Sequence, residues 1–366
     1  MNDEHTLQFN KILEKLRHPE KRTWIILNPT SIGDTALMCA FAKAFVETHG
    51  YGITMVVPED HIPITQMYPG RFEQVLVADR ETMHQMMNAY LPTHQFALDM
   101  PFCGHPYDLG DGRADELGYL FKFPGRGGLS FVDIFRHVLR LPWDAQIERP
   151  KIPEEWAREA NEFAISASME YHNSVILFPA NSSPIAQFPD ILWSTLVARL
   201  KANGYKVFCN MKGGNFRPQT MPIAGAIPIE IPVHLSLPLV SIAGRTISGS
   251  NGMQFLQMLG GRFENMTVMF PVSSQFGDFE MNGRIYSPTN PISQYMCPEL
   301  CVDVSFAEYA VPHDGAEAEL IQIATAVADL SENDPYCFCR MVGNGSYIDE
   351  NADWLRPLVE PLAVEN

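Results

Sequence analysis

Short apolar runs alternate along the chain with segments whose apolar residues recur at helical spacing. Leu7, Phe9, Ile12, Leu13 and Leu16, set among Lys and Glu, predict an amphipathic helix over 4–18. Trp24-Ile-Ile-Leu27 then reads as a buried strand, the small polar residues and Gly33 as a tight turn, and the following dozen residues as a helix with Asp34 at its start. Further strands are expected at Gly52–Val57, Gln74–Asp79 and Phe96–Met100, separated by stretches long enough for a helix or a long turn. Strands in such alternation form a mostly parallel sheet covered on both faces, a Rossmann-like arrangement.

Residues 101–129 interrupt this rhythm with repeated Pro and Gly, and loops of that length at strand ends often bind ligands. A helix is expected over Phe131–Leu141, a stiff connector at Pro150-Lys-Ile-Pro153 and another helix over Glu154–Met169. The strand, turn and helix order restarts with Ser174–Phe178, Pro179–Ser183 and Asp190–Leu200. It continues through a strand at Tyr205–Asn210, a helix at Leu235–Ala243, a strand at Arg245–Ser248, a helix at Met253–Leu259 and a strand at Met266–Phe270. Beyond Pro271 the chain reads as irregular until a helix over Ala316–Leu330. The expected division is a first Rossmann-like domain over 1–150, a second over 174–345, and a terminal helix within 346–366 that packs back on the first. No short-period repeat is present, only this doubling of an α/β half.

The length of 366 residues agrees with two hydrophobic cores. A net charge of −17, from 43 acidic and 26 basic residues, excludes a protein that binds nucleic-acid backbones or an anionic membrane surface broadly. No run reaches the roughly 20 apolar residues of a membrane span, and the N-terminus lacks the basic and apolar regions of an export signal. A cytoplasmic protein is expected. The odd count of 7 cysteines fits reduced thiols.

Asp34 is the first candidate for chemistry, because a carboxylate at the start of a helix that follows a strand remains ionised beside unpaired N–H groups. The turn Gly249-Ser-Asn-Gly252 is the second, since unobstructed amides at a helix N-terminus are suited to a phosphate. His105 and Arg113, in the long loop, could contact a polar acceptor. Met211-Lys-Gly-Gly214 carries a cation, Lys212, past a strand's carboxyl end. Cys297-x-x-x-Cys301 and Cys337-x-Cys339 bring four soft ligands, a possible tetrahedral zinc or iron site. Neither spacing is the C-x-x-C knuckle, so buried or free thiols are expected and no metal is assigned.

Thr30-Ser-Ile-Gly-Asp34, followed by Thr35-Ala-Leu, resembles the N-terminal signature of glycosyltransferase family 9, the heptosyltransferases of lipopolysaccharide assembly. Val175-Ile-Leu-Phe-Pro-Ala-Asn-Ser-Ser183 with Phe188-Pro-Asp-Ile-Leu-Trp193 resembles the family's second-domain opening, and Ser248-Gly-Ser-Asn-Gly-Met-Gln-Phe-Leu256 its donor-diphosphate stretch. The resemblance spans most of 24–300 and implies two Rossmann-like domains facing across a cleft, a GT-B-like fold whose closure excludes water. It implies an inverting sugar transfer from a nucleotide sugar, ADP-heptose-like, to a glycan, lipid-linked or protein acceptor, with Asp34 as base and no cofactor required. The donor side would comprise Asn181, Ser182, Ser183, Lys212, Gly213, Ser248, Gly249, Ser250, Asn251, Gly252 and Gln254. The acceptor side would comprise Thr30, Ser31, Gly33, His105 and Arg113.

Three positions depart from the pattern. Ala186 stands for the family's lysine, Ser250 for its aspartate and Phe255 for its histidine. Lys212 and Arg245 are the substitutes in sequence for the missing cation. The rival implication is a non-catalytic sugar-nucleotide-binding or assembly protein of the same fold; a weaker one is a sugar-nucleotide epimerase. Autotransporter heptosyltransferases, relatives of the family, carry a cysteine-bound iron in the region of the four C-terminal thiols.

Overall fold

The computed structural model describes residues 3–17, 23–27, 32–83, 102–103, 130–179, 188–212, 222–249, 251–260, 265–272, 279–281, 284–286, 297–301, 304–312 and 315–341. The chain divides into two compact units, Met1–Lys151 and Ile152–Asn366.

The first unit opens with α1 (Asp3–Arg17), β1 (Thr23–Leu27), α2 (Ile32–Ala40) and α3 (Ala42–His49). The helix expected after β1 is therefore two segments, but Phe41 N still bonds to Leu37 O at 3.2 Å and Phe45 N to Phe41 O at 2.9 Å, so the ladder passes through the junction. Every residue from Gly33 to Ala40 is buried, which explains the run of small and apolar side chains there. Next come β2 (Gly52–Val57), a 3₁₀ turn at Glu59–His61, α4 (Ile62–Gln66), β3 (Gln74–Val77), β4 (Phe102–Cys103) and α5 (Phe131–Val138). The sheet order is β3-β2-β1-β4, and all pairs are parallel. The strand expected at 96–100 lies outside the described residues; Phe102–Cys103 instead pairs with Ile25 and Ile26. Glu148 N bonds to Ala40 O and Lys151 N to Met67 O, each at 2.8 Å, so the segment leading to the connector is stitched onto the unit it leaves.

The second unit begins with α6 (Glu154–Ser166), β5 (Ser174–Phe178), α7 (Asp190–Ala202), β6 (Lys206–Asn210), β7 (Ile227–Ile229) and α8 (Val233–Ala243). It continues through β8 (Gly244–Gly249), α9 (Gly252–Gly260), β9 (Asn265–Val272), the hairpin β10 (Phe279–Met281) and β11 (Arg284–Tyr286), and α10 (Pro298–Cys301). It closes with β12 (Phe306–Pro312), α11 (Glu317–Asp329) and β13 (Cys337–Met341). The large sheet runs β13-β12-β9-β8-β5-β6-β7, parallel throughout except for the β12–β13 pair. On one face α7 and α11 bury Leu196, Leu200, Ile323 and Val327 against Val175, Leu177, Ile247 and Tyr309. Gly244 ends α8 and starts β8 at φ 87°, and a side chain there would sit 2.9 Å from the His172 backbone, so only glycine makes this direct passage.

β12 corrects the reading of 271–315 as irregular. It pairs with β9 along seven residues, and Phe306–Val311 is buried. The polar Glu308 at its centre breaks the apolar run by which a buried strand is recognised.

Candidate functional site

In both sheets the first strand of the unit marks a reversal of strand order among the described residues. β1 has β2 and β3 on one side and β4 on the other; β5 has β6 and β7 on one side and β8, β9 and β12 on the other. Ligands of open α/β sheets bind outside the carboxyl ends of the strands at such reversals.

At the first reversal, α2 carries Asp34 in its first turn, 7 % exposed, beside the buried Gly33. The helix dipole favours a carboxylate at that position. The ends of β2 and β3 bring three more side chains to the same edge. His61, fully buried in the 3₁₀ turn after β2, has Nδ1 2.8 Å from Thr35 Oγ1. Arg80, just past β3, bonds through Nη2 to both oxygens of Asp60 at 3.2 and 3.1 Å and lies 3.4 Å from His61 Nε2. Burial pushes the His61 imidazole down to about 4; Asp60 pulls it up, Arg80 down and Asp34 up. His61, Asp60 and Arg80 were absent from the candidates read in sequence. Their signal was position, since Glu59-Asp-His61 and Arg80 follow the ends of two expected strands.

At the second reversal, Phe178 is the register partner of Ser248. Asn251 donates from Nδ2 to the Phe178 carbonyl at 3.2 Å and accepts from Met253 N at 3.0 Å through Oδ1. Gly252 begins α9, a helix of 9 residues. Among the described residues, two buried polar atoms near this N-terminus, Ser248 Oγ and Gln254 Oε1, have no hydrogen-bond partner. Phe255, where the resemblance expects histidine, is packed into the core at 6 % exposure. Lys212 is exposed two residues beyond strand β6; Asn210 Oδ1 accepts from the Lys212 backbone N–H at 3.3 Å.

Arg245 is not a substitute cation for this turn. It sits at the amino end of β8, 3 % exposed, and donates to Ala328 O at 2.9 Å and Val327 O at 2.7 Å. Its charge answers the carbonyls at the C-terminus of α11, the opposite edge of the sheet from Gly249.

Neither a family model nor a curated protein sequence matches the chain. Among solved structures, the chain is similar to Escherichia coli ADP-heptose lipopolysaccharide heptosyltransferase II, with 11% identity, 85% of this chain and 99% of that one covered, and a TM-score of 0.53. A family 9 glycosyl transferase from Veillonella parvula is similar at 14% identity over 86% of this chain and 100% of that one, with a TM-score of 0.50. The chain has the fold of glycosyltransferase family 9. At these identities the likeness establishes the fold alone.

Within that family 9 fold, Thr30, Ser31, His105, Arg113, Asn181, Ser182, Ser183, Ala186, Gly213 and Ser250 lie outside the described residues, as does 346–366. Gly33 and Asp34 fall at the first reversal, and Ser248, Gly249, Asn251, Gly252 and Gln254 at the second. Cys297 and Cys301 are buried and Cys337 and Cys339 half-buried. Burial, with Glu308 and Cys339 nearby, pushes the Cys301 thiol well up. Among the described residues, no group of three or more His, Cys, Asp or Glu is arranged to hold a metal ion. Among the same residues, no helix is long and apolar enough to cross a membrane.

Proposed function

We propose that the protein is a glycosyltransferase that moves a hexosyl or heptosyl group from a nucleoside-diphosphate sugar to an acceptor hydroxyl with inversion. The observation that carries this reading is Asp34, a buried carboxylate in the first turn of the helix that follows the central strand of its sheet. The fold shared with a protein named as an ADP-heptose heptosyltransferase supports the reaction class.

In the proposed reaction the Asp34 carboxylate takes the proton of the acceptor hydroxyl. The oxygen forms its bond to the anomeric carbon on the face opposite the diphosphate. The bond from that carbon to the phosphate oxygen breaks with its electrons, and the nucleoside diphosphate departs carrying them. The carboxyl then gives its proton to solvent. The Gly249–Gly252 turn and α9 would receive the diphosphate through backbone N–H groups, with Lys212, Gly213 and the hydroxyls of Ser182, Ser183 and Ser250 as further contacts. Ser248 Oγ and Gln254 Oε1, without a partner among the described residues, support this assignment. A buried polar atom left unsatisfied costs about 1–3 kcal/mol, which a bound group recovers. Gln254 Oε1 accepts, so a ribose or sugar hydroxyl suits it better than an ionised phosphate oxygen. Thr30, Ser31, Gly33, His105 and Arg113 would face a glycan, lipid-linked or protein acceptor, and the reaction would take place in the cytoplasm.

Replacing Asp34 with Asn tests the reading. Calorimetric binding of ADP- and UDP-sugars should persist, while nucleoside diphosphate release in the presence of acceptor falls by about 10²–10⁴-fold, the usual contribution of a general base. Turnover equal to the unsubstituted protein would remove Asp34 from the mechanism, and sugar-nucleotide binding without release by the unsubstituted protein would favour a binding protein instead.

A further inference from the structure

The proposed reaction leaves out four side chains near Asp34: the buried His61 and Thr35, the half-buried Arg80 and the exposed Asp60. His61 Nδ1 lies 2.8 Å from the hydroxyl of Thr35, the residue after Asp34, and its Nε2 lies 3.4 Å from Arg80 Nη2. A guanidinium has only hydrogens to offer, so Nε2 accepts, and the ring proton is on Nδ1, donated to Thr35. Arg80 Nη2 is shared at the same time with both Asp60 oxygens, at 3.2 and 3.1 Å, so this cation is already answered by a carboxylate. Three charged groups face the ring: Asp60 on its own turn, Arg80 past β3 and Asp34 on α2. The two carboxylates favour an imidazolium; Arg80 and, most strongly, burial oppose it, and the ring is brought down to about 4.

We propose that His61 is a positioning residue for Asp34: a neutral imidazole, protonated on Nδ1 and wedged between Arg80 and Thr35, that clamps the first turn of α2 to the loop after β2. The proposal rests on Asp34 being the base. An imidazolium next to a carboxylate holds its proton affinity down and weakens it as a base, whereas a neutral ring fixes the helix turn at no such cost. His61 thereby supplies geometry without charge. Parallel pairing sets the ends of β1, β2 and β3 side by side, which gives the clamp a place that no single segment encodes.

The test is nuclear magnetic resonance on the full chain labelled with ¹⁵N-His and ¹³C-carboxyl Asp, with no substrate present. His61 should show a neutral ring protonated on Nδ1 from about pH 8 to about pH 5, well below the ordinary histidine midpoint. Asp34→Asn should move the His61 midpoint further down, since it removes a charge that favours the imidazolium. His61→Leu should displace the Asp34 carboxyl titration, and His61→Asn, whose amide donates from the Nδ1 position, should restore it. An imidazolium at pH 7, a proton on Nε2, or an Asp34 titration indifferent to His61→Leu overturns the proposal. If His61→Leu does not fold, the ring nitrogen shifts of the unsubstituted protein decide. Release of nucleoside diphosphate from ADP-glucose and UDP-glucose separates the two ideas. Unchanged release by Asp34→Asn with the His61 and Asp34 titrations still coupled removes the base and leaves the clamp. Lost release with uncoupled titrations removes the clamp alone.

Discussion

Asn251 donates through Nδ2 to the carbonyl of Phe178 at 3.2 Å and so ties the turn after β8 to the last residue of β5. Its Oδ1 accepts from Met253 N at 3.0 Å, which caps α9. One side chain thus holds together the two strand ends between which the sheet order reverses.

Replacing Asn251 with Ala should cost about 1–2 kcal/mol in urea denaturation, the value of a lost cap. ADP affinity, read by calorimetry, should weaken about tenfold, equivalent to about 1.4 kcal/mol. Asn251→Asp should keep the cap, lose the donation to Phe178 and fall between the two in stability.

Arg245→Met should destabilise the chain by about 1–3 kcal/mol, because the carbonyls of Val327 and Ala328 lose their donor. ADP affinity should not change. Weaker nucleotide binding at unaltered stability would return Arg245 to the candidates for the donor side.

Stability should respond to pH through His61. Its proton affinity is lowered in the folded chain, from the ordinary 6.5 to about 4, so the unfolded chain binds more protons between those values. The His61 contribution is therefore complete above pH 6.5 and is lost as pH falls toward 4, by up to about 3 kcal/mol. The paired carboxylates Glu148 and Asp329, held below their ordinary 4.5 and 3.8 by Arg71 and Arg199, lose their contributions at still lower pH. Denaturation midpoints between about pH 4 and pH 6.5 should flatten in His61→Asn; an unchanged slope would mean that other groups cause it.

Leu196→Ala in α7 and Ile323→Ala in α11 should each cost about 2–5 kcal/mol, since both side chains are fully buried in one core cluster. The double variant should depart from the sum of the two, because the helices carrying them pack together. Chemical denaturation of the three variants measures this coupling.

The elements that repeat a local pattern were legible before any coordinates. Gly52–Val57, Ser174–Phe178, Asp190–Ala202 and Glu317–Asp329 each carry an apolar period that survives in the structure within a few residues. β12 was not legible, because Glu308 sits at its centre, fully buried, where a strand-core residue is expected to be apolar. β7 and β13 were missed for a related reason: edge strands need to satisfy only one neighbour, so their sequences carry a weak pattern. Arg245 was a candidate because it lies three residues before Ser248. A strand separates its two ends, and those three residues carry Arg245 to the opposite edge.

From the sequence alone came the α/β class, the doubling of a strand-and-helix unit, Asp34 at the head of a helix and the glycine turn before α9, since each follows from residues close together in the chain. What surrounds Asp34 came only from the tertiary structure. Parallel pairing of β1, β2 and β3 brings the residues after each strand to one edge, so Thr35 meets His61 across 26 positions and His61 meets Arg80 across 19. Burial at that edge then makes the histidine neutral, a state that depends on excluded water and on neighbours drawn from three separate segments of the chain.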